Sequence, residues 1–181
     1  KAIKSVSRDI RLLKPLQINE DEKGGIAYIP KKMESGDMFC LVSLNQKFPF
    51  GIGVDSDWLM NTARTELRPQ EEAGLWHHQL LIALPRLIRR YFEWFPESFN
   101  GEERGVALDI FPTSRVDEIE VGLDVLYSDD FKKAMEVNLQ DCKFILCTDG
   151  EIRSPNEVRD IPENPGMGAQ AYESLTKDCF T

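Results

Sequence analysis

Two adjacent histidines, His77 and His78, are the only histidines in the chain and the first candidates for acid–base chemistry. Neighbouring residues on a helix point about 100° apart, so this pair does not place two imidazoles on one metal ion as an i, i+4 pair does. One of them could act as a general base if a carboxylate approached it in the fold. The alternative is structural, with one histidine facing solvent and the other lining the core.

A second candidate site consists of carboxylates on two segments with the alternating apolar pattern of strands. They are Asp109, Glu118, Glu120 and Asp124. If the two segments form an antiparallel hairpin, these side chains share its solvent-exposed face. Such a face can be merely solvated, can recognise a basic partner, or can hold a hard cation such as Mg²⁺ or Ca²⁺. We predict a partner-binding surface, extended by the acidic residues 20–22.

The third candidate is a basic stripe on one helix face. Its members follow i, i+3, i+4 and i+7 spacing: Arg86, Arg89, Arg90 and Glu93. Arginine forks suit phosphate and carboxylate groups, which would make an anion site. The alternative is a surface stripe in which the arginines pair with Glu93 and other acids, and this is the reading we favour.

Signatures of common enzyme classes do not occur in the sequence. GxSxG, GxxxxGK[ST] and HExxH are missing, and Gly51-Ile52-Gly53 lacks the third glycine of a dinucleotide fingerprint. The four cysteines, Cys40, Cys142, Cys147 and Cys179, match no zinc spacing, and the strand-like context of Cys40 and Cys147 predicts burial. We therefore predict no catalytic residue, no metal and no cofactor, and a reducing cytoplasm as the location.

Composition narrows the possible partners. The 181 residues fit one domain, 41% of them are apolar, and no apolar run approaches the roughly 20 residues that span a bilayer. A net charge of −9 disfavours nucleic acid and anionic membranes as partners. The charge suits solubility alone, and it also suits a partner with a basic surface.

Two helices must position these residues. Residues 70–95 carry apolar side chains on most of the helix circumference, so the sequence predicts a central helix, kinked at Pro85. Residues 129–140 form an amphipathic pattern behind Ser128, a preferred N-cap residue.

Shorter patterns predict the remaining elements. Strands are predicted at 26–30, 38–44, 106–111, 119–127 and 143–148, the last closed by an Asp149-Gly150 turn. Helices are predicted from 56 to 67 and near 169–175, and a basic helix or arm over 1–14. Together these elements predict an α+β fold, a mostly antiparallel sheet packed against a long kinked helix and a second amphipathic helix. We expect a single domain over residues 1–152 and a loosely structured tail over 153–181.

One segment resembles a known family. The run DVLYSDDFKKAMEVNLQDCKFILCTDG, residues 124–150, is similar to a unit of bacterial immunity proteins from polymorphic toxin systems. Matching positions hold Ser128, Asp129, Phe131, Lys132 and Phe144, whereas Cys142 replaces a small residue and a downstream proline is missing. The resemblance implies a cytoplasmic α+β protein that binds and blocks one toxin domain without catalysis of its own.

The sequence thus favours a protein-binding module, most specifically an immunity-type inhibitor of a basic toxin domain. A small hydrolase or transferase using His77 or His78 with a carboxylate is the alternative from another class. A structural subunit of a phage or secretion assembly is a third, and it requires an exposed apolar patch for self-association. The candidate patch is Phe48, Phe50, Trp94 and Phe99.

Overall fold

The computed structural model describes residues 10–20, 26–111, 123–147 and 149–158. The strands in these ranges are β1 (Arg11–Leu13), β2 (Leu16–Glu20), β3 (Ile26–Pro30), β4 (Gly36–Cys40), β5 (Val42–Phe48), β6 (Gly53–Asp55), β7 (Ile145–Leu146) and β8 (Ile152–Arg153). The α-helices are α1 (Gln70–Trp94), α2 (Gly101–Leu108) and α3 (Asp129–Leu139). The fold is α+β, as predicted: mostly antiparallel strands packed against a long bent helix and a second amphipathic one.

The main sheet has the strand order β1-β6-β4-β5. β4 is antiparallel to β5 and parallel to β6, and β1 is antiparallel to β6. β2 pairs only with β3, and β7 only with β8, in two separate antiparallel hairpins among the described residues. β1 and β5 are therefore the edges of the main sheet.

The central hairpin of this sheet corrects one prediction. The single strand predicted over residues 38–44 is wrong, because the chain reverses at Leu41, whose φ is +64°. Met38 and Leu44 are buried on either side of the turn, while Leu41 is 90% exposed. The apolar run in the sequence therefore joins two buried residues, Met38 and Leu44, through an exposed turn that contains the apolar residues Leu41 and Val42.

Helix α1 confirms the predicted central helix. It begins after Pro69, continues through Pro85 and is bent. Leu80, Leu84 and Ile88 are almost completely buried along one stripe. Beyond Trp94 the chain tightens into a 3-10 helix (Pro96–Ser98), so the predicted helix end is also confirmed.

The predicted strand over 106–111 is wrong. Val106–Leu108 is the last turn of α2, which follows Asn100 and carries Glu102 and Glu103 near its positive N-terminal end. Asp124–Tyr127 is a 3-10 helix rather than part of the second predicted strand, whose remainder falls mostly outside the described residues. Buried residues occur here in consecutive pairs, Ala107-Leu108 and Ile110-Phe111, because neighbours cover the segment on more than one side.

The predicted helix over residues 56–67 is also wrong. Met60 and Leu67 form a β-bridge there, and a turn through Arg64 connects them. The Leu67 N–H donates to the Gln46 side chain at 3.1 Å, and the Asn45 N–H donates to the Thr65 carbonyl at 2.9 Å. The segment therefore satisfies its polar groups against the edge strand β5, and these tertiary bonds override its helical pattern.

At the N-terminal side, Arg11–Leu13 is a strand instead of the end of a basic helix. Helix α3 confirms the predicted cap, since the Phe131 N–H donates to the Ser128 hydroxyl at 3.2 Å. β7 and β8 confirm the hairpin predicted at Asp149-Gly150. Of the predicted tail, residues 153–158 complete β8 and form a 3-10 turn, and the predicted helix near 169–175 lies outside the described residues.

Candidate functional site

A β-hairpin that packs on only part of its surface is the main candidate site. Strands β2 and β3, hereafter the hairpin arm (16–20 and 26–30), pair in antiparallel register from Leu16↔Pro30 to Glu20↔Ile26. Directly paired residues share a face, and the same face returns every second residue. One face of the arm therefore carries the side chains at even positions.

That face is apolar and open to solvent. Its large side chains are 46% to 63% exposed: Leu16 46%, Ile18 62%, Ile26 62% and Tyr28 63%. Ile18 and Tyr28 lie directly opposite each other at its centre. Isolated two-stranded hairpins are only marginally stable in water, and contiguous apolar patches on soluble proteins mark interaction sites. We call these four side chains the arm face.

The base of the arm is held to the body by a buried proline and a lysine contact. The Lys31 N–H donates to the Pro15 carbonyl at 2.8 Å, which extends the β2–β3 ladder by one pair, and Pro30 is buried at the end of β3. The Lys14 ammonium, just before the arm, donates to the Gly51 carbonyl at 3.0 Å. The arm is therefore attached to the body at its base.

Asp109 contacts the lysines on both sides of the arm. Its carboxylate lies 3.8 Å from the ammonium of Lys32, just after the arm, and its backbone carbonyl accepts from Lys14 at 3.4 Å. Burial lowers the pKa of Lys14 from 10.5 to about 8, and Asp109 opposes this shift. Burial also raises the pKa of Asp109, opposed by Lys32 and Lys14. Asp109 thus joins the two ends of the arm to α2.

The structure describes two of the four residues of the predicted acidic face, and it places them in different environments. Asp109 has two lysines as its charged neighbours, whereas Asp124 begins a 3-10 helix close to His77. Glu118 and Glu120 lie outside the described residues. Val106–Leu108 and Asp124–Tyr127, which were to align the carboxylates, are helical, so the described residues do not build the predicted hairpin.

The histidines occupy different environments. His77 is fully buried, its ring edge lies against Trp58 at 6.0 Å between centroids, and its Nε2 lies 3.2 Å from the Leu59 carbonyl. Burial lowers the pKa of His77, and the Leu59 carbonyl and Asp124 oppose this. His78 is half-buried, 3.8 Å from Asp130 on α3. This arrangement fits the structural alternative, with one imidazole in the core and one nearer solvent.

The arginine stripe is partly neutralised by its own helix. Arg89 donates to Glu93 at 2.7 Å and to the Asn138 carbonyl at 3.0 Å. Arg89 lines a cleft of about 490 Å³ that also contains an Arg104–Glu97 pair, together with Asp141 and Glu151. Both arginines have carboxylate partners there, so this mixed-charge cleft does not present a free anion site.

Two of the described cysteines, Cys40 and Cys142, are not activated nucleophiles. Cys142 is buried, and burial raises the pKa of its thiol to about 11. Burial likewise raises the pKa of Cys40. Cys40 and Cys147, whose strand-like context predicts burial, are only half-buried.

Among the described residues, no three His, Cys, Asp or Glu side chains come together as metal ligands. The helices of the described chain are too short or too polar to cross a bilayer.

Sequence reasoning missed the arm face because residues 19–25 read as a polar break, which hid β2. The available signal was the alternation of Leu16 and Ile18 with polar neighbours, followed by the predicted strand at 26–30. A scan against protein-family models and searches of curated proteins and of solved structures found no match to this chain.

Proposed function

We propose that this protein is a protein-binding module, an immunity-type inhibitor that neutralises a cognate toxin domain by holding it against the hairpin arm. The exposed arm face is the observation that carries the proposal. Burying a large apolar side chain contributes roughly 1.5–3 kcal/mol, and each member of the arm face is already partly covered. Four such side chains on one hairpin supply a compact anchor of the kind found at interface centres.

Charge indicates the kind of partner. The chain carries a net charge of −9, and the sequence from the last residue of β2 onward, Glu20-Asp21-Glu22-Lys23, accounts for two of these net negative charges. A second copy of the chain would bring like charges together, which opposes a symmetric dimer through this face. The partner that fits has an apolar groove for Ile18 and Tyr28 and a basic rim. Such a rim would accelerate association at low salt.

The two other functions considered from the sequence have less support. His77 and His78 line neither the mixed-charge cleft nor a cleft between residues 10–14 and the C-terminal half of α1. The hydrolase or transferase therefore gains no substrate site from either cleft. The predicted self-association patch is wrong, because two of its residues, Phe48 and Phe50, are only 0% and 1% exposed. Both rings pack in the core against each other at 5.1 Å.

The test is a comparison of three immobilised proteins. Wild type, an arm-face variant (Ile18→Ser with Tyr28→Ser) and a matched variant on the opposite face (Gln17→Ser with Asn19→Ser) are incubated with native lysate. We expect one stoichiometric partner on the wild type and on the opposite-face variant. The arm-face variant should lose it, with the purified partner's Kd raised at least about 30-fold, since two central anchors contribute about 2 kcal/mol or more.

Expressing the captured partner then separates the inhibitor from a general binding module. Growth arrest by the partner alone, relieved by co-expression of wild type but not of the arm-face variant, supports the immunity-type assignment. A partner retained equally by all three proteins would refute the arm as the contact surface. A harmless partner would refute the inhibitor.

A further inference from the structure

A second cleft lies on the opposite side of the C-terminal half of α1 from the mixed-charge cleft. It has a volume of about 620 Å³, within the range of small-molecule sites. One wall is residues 10–14, which include the edge strand β1, and the other is the α1 face that carries Leu87, Tyr91 and Trp94. Most of its lining is apolar, so it suits a ligand with an apolar body.

The aromatic wall of this cleft is partly unused by the core. Tyr91 and Phe95 stack with their ring centroids 5.0 Å apart, and Trp94 lies beside Phe95 at 6.3 Å. The Tyr91 hydroxyl is committed to the Ala107 carbonyl at 2.5 Å. Trp94, in contrast, is 72% exposed. A large indole left in solvent beside stacked rings offers a surface for a further flat ring.

The charged residues that line the cleft in the described ranges all have the same sign. They are Arg11, Lys14 and Arg90, and no carboxylate of the described residues lines the cleft, although the whole chain has a net charge of −9. Arg11 is paired with Asp55 at 3.2 Å, and the Lys14 ammonium is held by the Gly51 carbonyl. Arg90 forms no ion pair within the part of the chain that the structure describes. Arg90 is therefore the cation of this cleft that is available to bind a ligand.

We propose that this cleft, named here the cationic cleft, binds a small aromatic carboxylate, with the ring against Trp94 and the carboxylate paired with Arg90. The guanidinium fork matches a carboxylate in two parallel hydrogen bonds. This site is separate from the arm face and does not depend on the proposed inhibitor function.

Titration calorimetry of the full chain with three ligands on one ring system tests the charge requirement. The ligands are 2-naphthoate, the neutral 2-naphthamide and the cationic 2-naphthylmethylamine. We expect naphthoate to bind, the amide to bind about tenfold more weakly, and the amine not to bind measurably. Decanoate is a fourth ligand, which has a carboxylate but no ring. Tighter binding of decanoate than of naphthoate would overturn the aromatic assignment.

Variants on the same helix then locate the site. Arg90→Gln should weaken naphthoate binding about tenfold, Trp94→Ala should weaken it by a similar factor, and Arg90→Lys should lose less. Arg86→Gln is the matched control, because Arg86 is also exposed on α1 but does not line the cleft, and its affinity should stay within about twofold of wild type. All three positions are exposed, so folding should be preserved.

Equal binding of naphthoate and amide, or equal loss in the Arg90 and Arg86 variants, would overturn the proposal. So would the absence of binding at millimolar naphthoate. The arm-face variant should bind naphthoate as wild type does. This control separates failure of the cationic cleft from failure of the hairpin arm.

Discussion

Two antiparallel hairpins of this protein use similar residues for opposite purposes. In the β4–β5 hairpin, alternate side chains of β5 point into the core, and Leu44, Gln46 and Phe48 are at most 4% exposed. In the hairpin arm, the corresponding alternation places Ile18 and Tyr28 at more than 60% exposure. Both hairpins obey the same period-2 rule. They differ in whether the body of the protein covers the apolar face.

The difference separates two kinds of apolar side chain. Those of β5 are required for the fold, since Leu44 and Phe48 belong to the buried core. Those of the arm leave apolar surface available, which suits a partner that covers it. Substitutions in the two hairpins should therefore affect different properties, stability in the first and association in the second.

The largest contrast is expected between two aromatic truncations. Phe48→Ala should reduce the free energy of unfolding by about 3–5 kcal/mol, because it empties a fully enclosed site. Tyr28→Ala should change it by less than about 0.5–1 kcal/mol, because that ring already faces water. Urea unfolding followed by circular dichroism measures both. Similar losses at the two positions would erase the distinction between the hairpins.

A glycine at the start of β4 sharpens the packing side of the comparison. A methyl group on Gly36 would lie 2.0 Å from the Ile52 carbonyl oxygen, so the backbone must move. Gly36→Ala should cost about 3 kcal/mol. Gly105→Ala is the control, since its methyl group would meet only Leu146 at 3.7 Å and should stabilise α2 by about 0.5–1 kcal/mol. A neutral Gly36 variant would indicate a looser sheet than the one described.

The attachment of the arm should show a pH dependence through Lys14. Its pKa is about 8 in the folded protein and near 10.5 when unfolded, so the unfolded chain binds more protons between these values. Stability should therefore rise with pH from 8 to 10.5, by about 2 kcal/mol after allowance for partial exposure. Unfolding curves for Lys14→Met should lack this rise relative to wild type. Parallel pH profiles would mean that Lys14 is solvated.

Asp109 should control the arm without belonging to the partner contact. Asp109→Asn removes the negative charge beside Lys14 and Lys32 and should loosen the attachment of the arm, while the free energy of unfolding changes by less than about 1 kcal/mol, because burial already disfavours the charged carboxylate. Hydrogen exchange of arm amides, such as that of Ala27, should accelerate. The exposed Asp37, paired with Lys47, provides the control, and Asp37→Asn should cost less than about 0.5 kcal/mol. Unchanged arm exchange in the Asp109 variant would refute the anchoring role.

The smallest effect is expected at the tip of the β4–β5 hairpin. Leu41 adopts a φ of +64° and is 90% exposed, so its side chain meets the steric cost of a left-handed residue without gaining burial. Leu41→Gly should raise the free energy of unfolding by up to about 1 kcal/mol. A thermal melt compared with the neighbouring exposed variant Val42→Thr measures it. A destabilised glycine variant would assign a packing role to the exposed tip.

Features that depend only on a local residue pattern were predictable from the sequence. The stripe of α1, the Ser128 cap and the Asp149-Gly150 turn each depend on a few neighbouring residues, and all three are confirmed. The failures share one cause. The patterns of residues 56–67 and 106–111 are compatible with two structures. Contacts with distant residues, such as the hydrogen bond between Leu67 and Gln46, determine which structure forms.

The candidate sites depended still more on tertiary structure. Exposure of Ile18 and Tyr28 cannot be read from their identity, because the same alternation is buried in β5. The cationic cleft joins residues 10–14 to Arg90, far apart in the chain. Sequence alone determined the α+β class, the central helix and the acidic character, since these follow from composition and local periodicity. Only the tertiary structure decided which apolar faces are covered and which charges meet, because both depend on contacts between distant segments.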